Sequence, residues 1–188
     1  MKKIIIINAS PRRGGNSDTI ADKLAAEIKN AEVEIFRLRE KKVNPCLACN
    51  ACKSKDTPFC IQKDDMSALI PSLDSCDGIV LLSPIYFGTI NGPAKTLIDR
   101  LYCFFNPTKP NASIASRRGK KCAVICCCGA GPADVYSKGA GDQTKSFAVA
   151  GADEFKAYTC GGVNEPGSCK NNAKDMQAVS EIAAWLSK

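Results

Sequence analysis

The chain has no histidine, and this absence excludes more chemistry than any other feature of its 188 residues. Without imidazole there is no Ser-His or Cys-His nucleophile pair and no histidine-bearing metal site. Acid–base chemistry must come from other groups or from a cofactor. Long apolar runs are missing too: Ile4 to Ile7 and Ile79 to Leu82 fall far short of the roughly 20 residues that span a bilayer. Met1-Lys2-Lys3 before the isoleucines looks like the start of a secretory signal. Asn8 ends that run before the roughly 7–15 apolar residues such a signal needs. A cytoplasmic location with no membrane partner is therefore expected. Neither G-x-G-x-x-G nor G-x-x-x-x-G-K-[ST] occurs, so Rossmann dinucleotide and P-loop nucleotide binding lose support. Aromatic residues are scarce at 6%, and the single Trp185 reads most simply as core.

Acidic residues are outnumbered, 19 against 26 basic, for a net charge of +7. The basic residues are scattered, with short clusters at Arg12-Arg13, Lys41-Lys42 and Arg117 to Lys121. A nucleic-acid footprint concentrates charge on one face, so no nucleic-acid partner is expected. A solvated surface that also attracts a phosphorylated cofactor or an acidic redox partner fits better.

Cysteine is abundant: there are 12. In a reducing compartment these act as ligands or nucleophiles rather than disulfides. Four of them, Cys46, Cys49, Cys52 and Cys60, share one loop at C-x2-C-x2-C-x7-C spacing, and four soft thiolates so placed can close around one metal centre. The other eight read as small buried hydrophobes, with Cys126-Cys127-Cys128 alternating across a strand.

Hydrophobic patterning gives alternating strands and helices. Ile4 to Ile7 reads as a strand buried on both faces, Ser17 to Lys29 as a helix, and Val33 to Leu38 as a second strand. Residues 39–63 form the cysteine-bearing loop, and Asp64 or Asp65 caps a helix through Ile70. A third strand, Ile79 to Leu82, is expected to stop at Ser83-Pro84. Asn91-Gly92-Pro93 then opens a helix to about Tyr102. Cys122 to Cys127 is a fourth strand, a helix lies within 132–150, Glu154 to Cys160 is a fifth strand, and Asp175 to Leu186 a last helix. Such alternation predicts a parallel sheet with helices on both faces.

In open α/β sheets ligands bind beyond the carboxyl ends of the strands. Three loops qualify. Asn8 to Ser17 offers hydroxyls, backbone amides, an arginine and a helix start, which together suit an anion; the plain alternative is a strand–helix turn capped by Ser17. Ser83 to Asn91 carries Tyr86-Phe87, against which a flat ring could lie, although an aromatic pair is more often core. Cys128-Gly129-Ala130-Gly131-Pro132 has small residues that let a backbone approach a ligand.

S-P-R-x-x-G-N-S after the first strand and S-P-I-Y-F-G-T-I-N-G-P-A-K-x-L-I-D-R after the third resemble the flavodoxin-like NAD(P)H-dependent FMN reductase family. The resemblance covers the chain from the first strand through the fourth. It implies one flavodoxin-like domain over residues 1–188, a three-layer sandwich around a five-stranded parallel sheet of order 2-1-3-4-5. It implies that Ser10, Arg12, Asn16 and Ser17 hold the FMN phosphate. Pro84, Ile85, Tyr86, Phe87, Gly88 and Thr89 would line the isoalloxazine, and Cys128, Gly129 and Gly131 would add backbone contacts. Within the family, the subgroup of iron-sulfur flavoproteins carries a similar cysteine run followed by acidic residues and methionine, as Asp64-Asp65-Met66 follows here. By that resemblance Cys46, Cys49, Cys52 and Cys60 ligate a [4Fe–4S] cluster. A four-thiolate zinc site or a loop of free thiols would use the same residues. The implied function is electron transfer from NAD(P)H or a ferredoxin, through FMN, to a small acceptor, in a homodimer or higher homo-oligomer. A flavodoxin-type electron carrier and a thiol or metal sensor are the rivals.

Overall fold

A computed structural model describes residues 1–54 and 59–188; residues 55–58, within the loop expected over 39–63, lie outside the described residues. The first strand, β1 (Lys2–Asn8), owes its position to Ile4, Ile5, Ile6 and Ile7, all buried. Ile5 and Ile7 face one core with Leu69, Leu73, Leu97 and Phe104. Ile4 and Ile6 face the other with Ile20, Leu24, Val179 and Leu186. A strand with branched apolar side chains on both faces must lie between two helical layers, and burying them is worth about 1.5–3 kcal/mol each.

Around β1 lie β2 (Ala31–Arg37), β3 (Gly78–Tyr86), β5 (Lys120–Cys127) and β6 (Ala152–Cys160), all parallel, in the order β2-β1-β3-β5-β6. These are the five strands expected, in the expected order. A sixth, β4 (Thr89–Ile90), is a departure: it pairs antiparallel with the end of β3, Tyr86 opposite Thr89 and Ile85 opposite Ile90. β3 does not stop at Ser83-Pro84, because Pro84 keeps its place opposite Cys127 and the strand runs on into a hairpin. The hairpin's two turn residues, Phe87 and Gly88, have φ of 50° and 83°, as the tight two-residue turn between antiparallel strands requires.

α1 (Asn16–Glu27) and α5 (Ala173–Ser187) cover one face, with α2 (Met66–Ser75), α3 (Gly92–Arg100) and α4 (Asp134–Thr144) on the other. α3 begins where Asn91-Gly92-Pro93 predicted: the Ala94 amide donates to the Asn91 side chain at 3.1 Å, and Pro93 stands in the first turn. The same asparagine donates through Nδ2 to the Ala9 carbonyl at 2.7 Å, joining the start of α3 to the loop after β1. Cys126 and Cys127 fall in opposite cores, as their alternation required, and the eight cysteines outside the loop are buried. Trp185 packs partly buried against its core with the ammonium groups of Lys121 and Lys156 near its ring. Among the described residues no helix is long and apolar enough to cross a membrane.

The chain leaves β1 toward β2 on one side and then returns to build β3 on the other. Loops leaving β1 and β3 therefore diverge and open a crevice above their carboxyl ends.

Candidate functional site

The loop from Ala9 to Gly15 is held from beneath by Asp18, in the first turn of α1. One Asp18 oxygen accepts from Asn8 Nδ2 at 2.7 Å and Arg39 Nη1 at 2.9 Å, and the other accepts from the Gly14 amide at 2.8 Å. Asn8 in turn accepts the Ser10 amide at 3.0 Å, and the Ser10 hydroxyl accepts the Arg12 amide at 3.3 Å. The backbone is thus fixed before any ligand arrives. Gly15, not Ser17, is the residue that caps α1, and it has no side chain to offer the first amides. Ser17 lies buried inside the first turn. An uncapped helix start carries partial positive charge and is a ready anion site.

Asn16 is committed elsewhere. Its Nδ2 donates to the carbonyls of Val163 and Glu165 at 2.9 and 3.0 Å, and its Oδ1 accepts the Cys169 amide at 2.9 Å. Its side chain therefore straps α1 to the loop after β6 and leaves only its backbone for a ligand. Arg12 reaches the same loop, donating to the Asn164 carbonyl at 3.0 Å.

These parts enclose one cleft. Ser10, Arg12, Gly15, Asn16 and Ser17 form one side, Pro84, Ile85 and Tyr86 the other, with Cys127, Gly129, Val163 and Asn164 at the base. Of the residues expected at a cofactor, eight line this cleft: Ser10, Arg12, Asn16, Ser17, Pro84, Ile85, Tyr86 and Gly129. Phe87, Gly88, Thr89, Cys128 and Gly131 do not line it. Phe87 stands fully exposed at the hairpin tip. Cys128 turns away and donates its thiol to the Ala130 carbonyl at 2.9 Å, while its neighbour Cys127 takes the place at the cleft. At Gly129 a Cβ would stand 2.4 Å from Asn164 Oδ1, so any larger residue there would push the Asn164 side chain aside. Val163 and Asn164 were missed by sequence reasoning, as was Asp18; only the glycines between Cys160 and Cys169 hinted at a close backbone approach there. The donors suit a phosphate at the helix start, and the Pro84-Ile85 wall suits a flat, largely apolar ring system.

Cys46, Cys49, Cys52 and Cys60 line a second cleft together with Arg100 and Cys103. Among the described residues no group of three or more Cys, Asp or Glu stands close enough to hold a metal ion. The four thiols are thus gathered at one cleft but not closed upon one point. Cys46 and Cys49 are exposed, Cys52 and Cys60 half-buried. Ala48 and Asn50 between them have φ of 50° and 56°, and the Ala48 amide points at Cys46 Sγ at 3.5 Å.

Beneath the loop its two stems are clamped. Arg100 donates to both oxygens of Asp64 at 2.8 and 3.1 Å and to the Asn44 carbonyl at 2.8 Å, and the Asn44 amide donates to Asp64 at 2.9 Å. Asp65, at the start of α2, accepts the Lys42 amide at 2.6 Å. Burial works against ionisation of Asp64, but Arg100 and the amides of Asn44 and Met66 outweigh it and hold the carboxyl below its usual range. Burial pushes the Cys52 thiol up and drives that of Cys103 to about 12.

Comparison with known proteins agrees with this architecture. An iron-sulfur flavoprotein of Methanocaldococcus jannaschii is 31% identical over 195 residues, covering 96% of this chain and 93% of that protein. One from Archaeoglobus fulgidus is 36% identical over 101 residues, 53% of this chain, and the match takes in only 45% of the relative's length. The solved structure of an NAD(P)H:quinone oxidoreductase from Methanothermobacter marburgensis superposes with a TM-score of 0.74 over 100% of this chain and 98% of its own, at 14% identity, which speaks for the fold alone. Residues 2–136 match the NADPH-dependent FMN reductases as a family, and the chain belongs to that family.

Proposed function

We propose that this chain binds FMN in the cleft above β1 and β3 and passes electrons from NAD(P)H to an acceptor. One observation carries the assignment of the cleft: the uncapped start of α1, with Ser10 and Arg12 beside it, faces the Pro84-Ile85-Tyr86 wall across a crevice at the point where strand order reverses. Bound FMN supplies hydride acceptance and electron release singly or in pairs, chemistry that needs no histidine. The protein's part is binding and orientation. Ser10, Arg12, Ser17 and the amides of Gly15 and Asn16 hold the phosphate. Pro84 and Ile85 exclude water from one side of the ring, and Gly129 lets the backbone after β5 come close.

The four loop cysteines, on this reading, hold a [4Fe–4S] cluster that carries electrons onward one at a time. Its support is a donor set of sulfur alone and a cleft that gathers all four thiols. The physiological donor is then NAD(P)H or a ferredoxin, the acceptor a small molecule, and the working protein a cytoplasmic homodimer. Anaerobic purification of the full chain, with absorption spectrum, flavin content, iron and sulfide assays and steady-state NAD(P)H oxidation, tests the whole proposal. We expect flavin bands, about four irons per chain as a four-thiolate cluster requires, and NAD(P)H turnover with an artificial acceptor. Flavin without turnover would make the protein an electron carrier, and zinc without sulfide would make the loop a metal sensor. Absence of flavin binding would overturn the cleft assignment.

A further inference from the structure

The Asp64–Arg100 pair touches nothing in the FMN cleft, yet it is an expensive thing to bury. Both side chains are wholly inaccessible to solvent. Removing two ions from water costs several kcal/mol each, and mutual attraction recovers this only when every donor is used. Here one is not. The two Nη atoms of Arg100 serve Asp64 and Asn44, while among the described residues Nε is buried without a hydrogen-bonded partner, and the Cys60 thiol is the loop group that interacts with the guanidinium. Arg100 also lines the cleft that Cys46, Cys49, Cys52 and Cys60 line. A clamp for the loop stems would need only the two Nη atoms. An idle N–H on a buried cation, at a cleft that gathers five cysteines and has no other charged residue in its lining, points to something anionic that belongs in that cleft.

We propose that Arg100 is a positioning residue that supplies the positive charge and the free N–H donor for an anionic four-thiolate metal centre in this cleft, and so sets that centre's reduction potential. The inference rests on the cluster reading given above. Positive charge and N–H donors around cluster sulfurs stabilise the more negative, reduced state and raise the potential. Asp64 acts in the opposite sense. The pair therefore makes a prediction that a structural clamp does not: its two halves should shift the potential in opposite directions.

The test uses the full chain purified without oxygen as wild type, Arg100→Gln, Arg100→Lys and Asp64→Asn, with iron and sulfide assays and a midpoint potential from a titration followed by electron paramagnetic resonance. The wild type should hold iron and sulfide. Arg100→Gln should lower the potential, Asp64→Asn should raise it, and Arg100→Lys should keep it near the wild-type value. Iron-loaded variants whose potential is unchanged, or moves the same way for Gln and Asn, overturn the role of Arg100 and leave the cluster standing. Should Arg100→Gln emerge without iron, retention of iron by Arg100→Lys supports the proposal and its loss there too overturns it. A wild type that holds no iron after anaerobic reconstitution with iron and sulfide overturns the cluster reading, and the proposal with it.

Discussion

The loops after β1 and β2 are built on opposite principles. The first is short and finished: Asp18, Asn8 and Ser10 use their polar atoms to fix its backbone, and Asn16 straps the helix behind it. The second is long, clamped at its stems by Asp64 and Arg100 and tied along its length by Lys53, which donates to the Tyr102 and Phe105 carbonyls, and it carries two non-glycine residues at positive φ beside the exposed thiols of Cys46 and Cys49. A phosphate meets donors that are already aimed, so little ordering is needed on binding. On the cluster reading proposed above, a metal centre would have to draw together four sulfurs that share a cleft but are not closed on one point. The difference teaches where the binding energy goes: into affinity at the first loop, and into ordering the chain at the second.

The largest effect should come from cutting the support of the first loop. Asp18→Ala takes from Arg39 its closer carboxylate, leaving Glu40 at 3.5 Å, and frees the Gly14 amide. Loss of one member of such a largely buried pair costs about 3–5 kcal/mol. Urea unfolding should show that loss, and flavin affinity should fall with it; an unchanged midpoint would break the claim that this loop is preformed. The corresponding support of the second loop is sensitive to acid. The Asp64 carboxyl titrates below its ordinary value of 3.8 in the folded chain. Its contribution is complete above the unfolded value, near 3.9, and disappears as pH falls through the lower folded one. Wild type and Asp64→Asn should therefore differ at neutral pH and converge in strong acid when urea midpoints are plotted against pH. A gap that persists into acid would mean Asp64 is not the group that holds the stems.

Arg12→Ala should weaken FMN by about 1.5 kcal/mol, the lower end for a charge-assisted bond because the side chain is exposed. Quenching of flavin fluorescence on titration into apoprotein measures it, and an undiminished affinity would remove Arg12 from the phosphate site.

Local patterns carried most of the fold. Four consecutive isoleucines, β-branched throughout, fit a strand buried on both sides, and Asn91-Gly92-Pro93 contains the cap and first turn of α3. Patterning failed where a tertiary partner overruled a local rule. Pro84 read as a strand end because it has no N–H to donate, yet it sits in the sheet opposite Cys127 and the strand goes on to the hairpin. Ser17 read as a cap, but Gly15 takes that position and Ser17 is drawn into the helix. The cleft was half legible. Residues on the strand-end loops could be named because the parallel topology puts such loops together. Asn164 could not, since it joins Arg12 across 152 positions of sequence. Nor could Arg100, which on a helix pattern is one basic residue among many; only the fold reveals that it points inward beneath the cysteines.

The hairpin next to the first loop holds a smaller contrast. Phe87 has φ of 50° while its ring is fully exposed, so it bears backbone strain and buries nothing. Phe87→Asn, a residue that tolerates this conformation, should stabilise the chain by about 1 kcal/mol. Thermal unfolding of the apoprotein reads the gain. No gain would mean that the ring is covered in the working protein, as a homodimer would cover it.

The smallest effect is the most telling for the comparison. Cys46 and Cys49 are exposed, and among the described residues neither belongs to a group able to hold a metal. Replacing both by serine should change the stability of metal-free protein by no more than about 0.5 kcal/mol, as for surface sites in general. Flavin affinity should likewise stay where it was, because no atom of either residue lines the first cleft. Iron content should vanish. That split, flavin kept and iron lost, is what two separately built loops require. If removing the two thiols also loosens the flavin, the loops are coupled, and the cysteine run belongs to the architecture of the cleft rather than to the path by which electrons leave it.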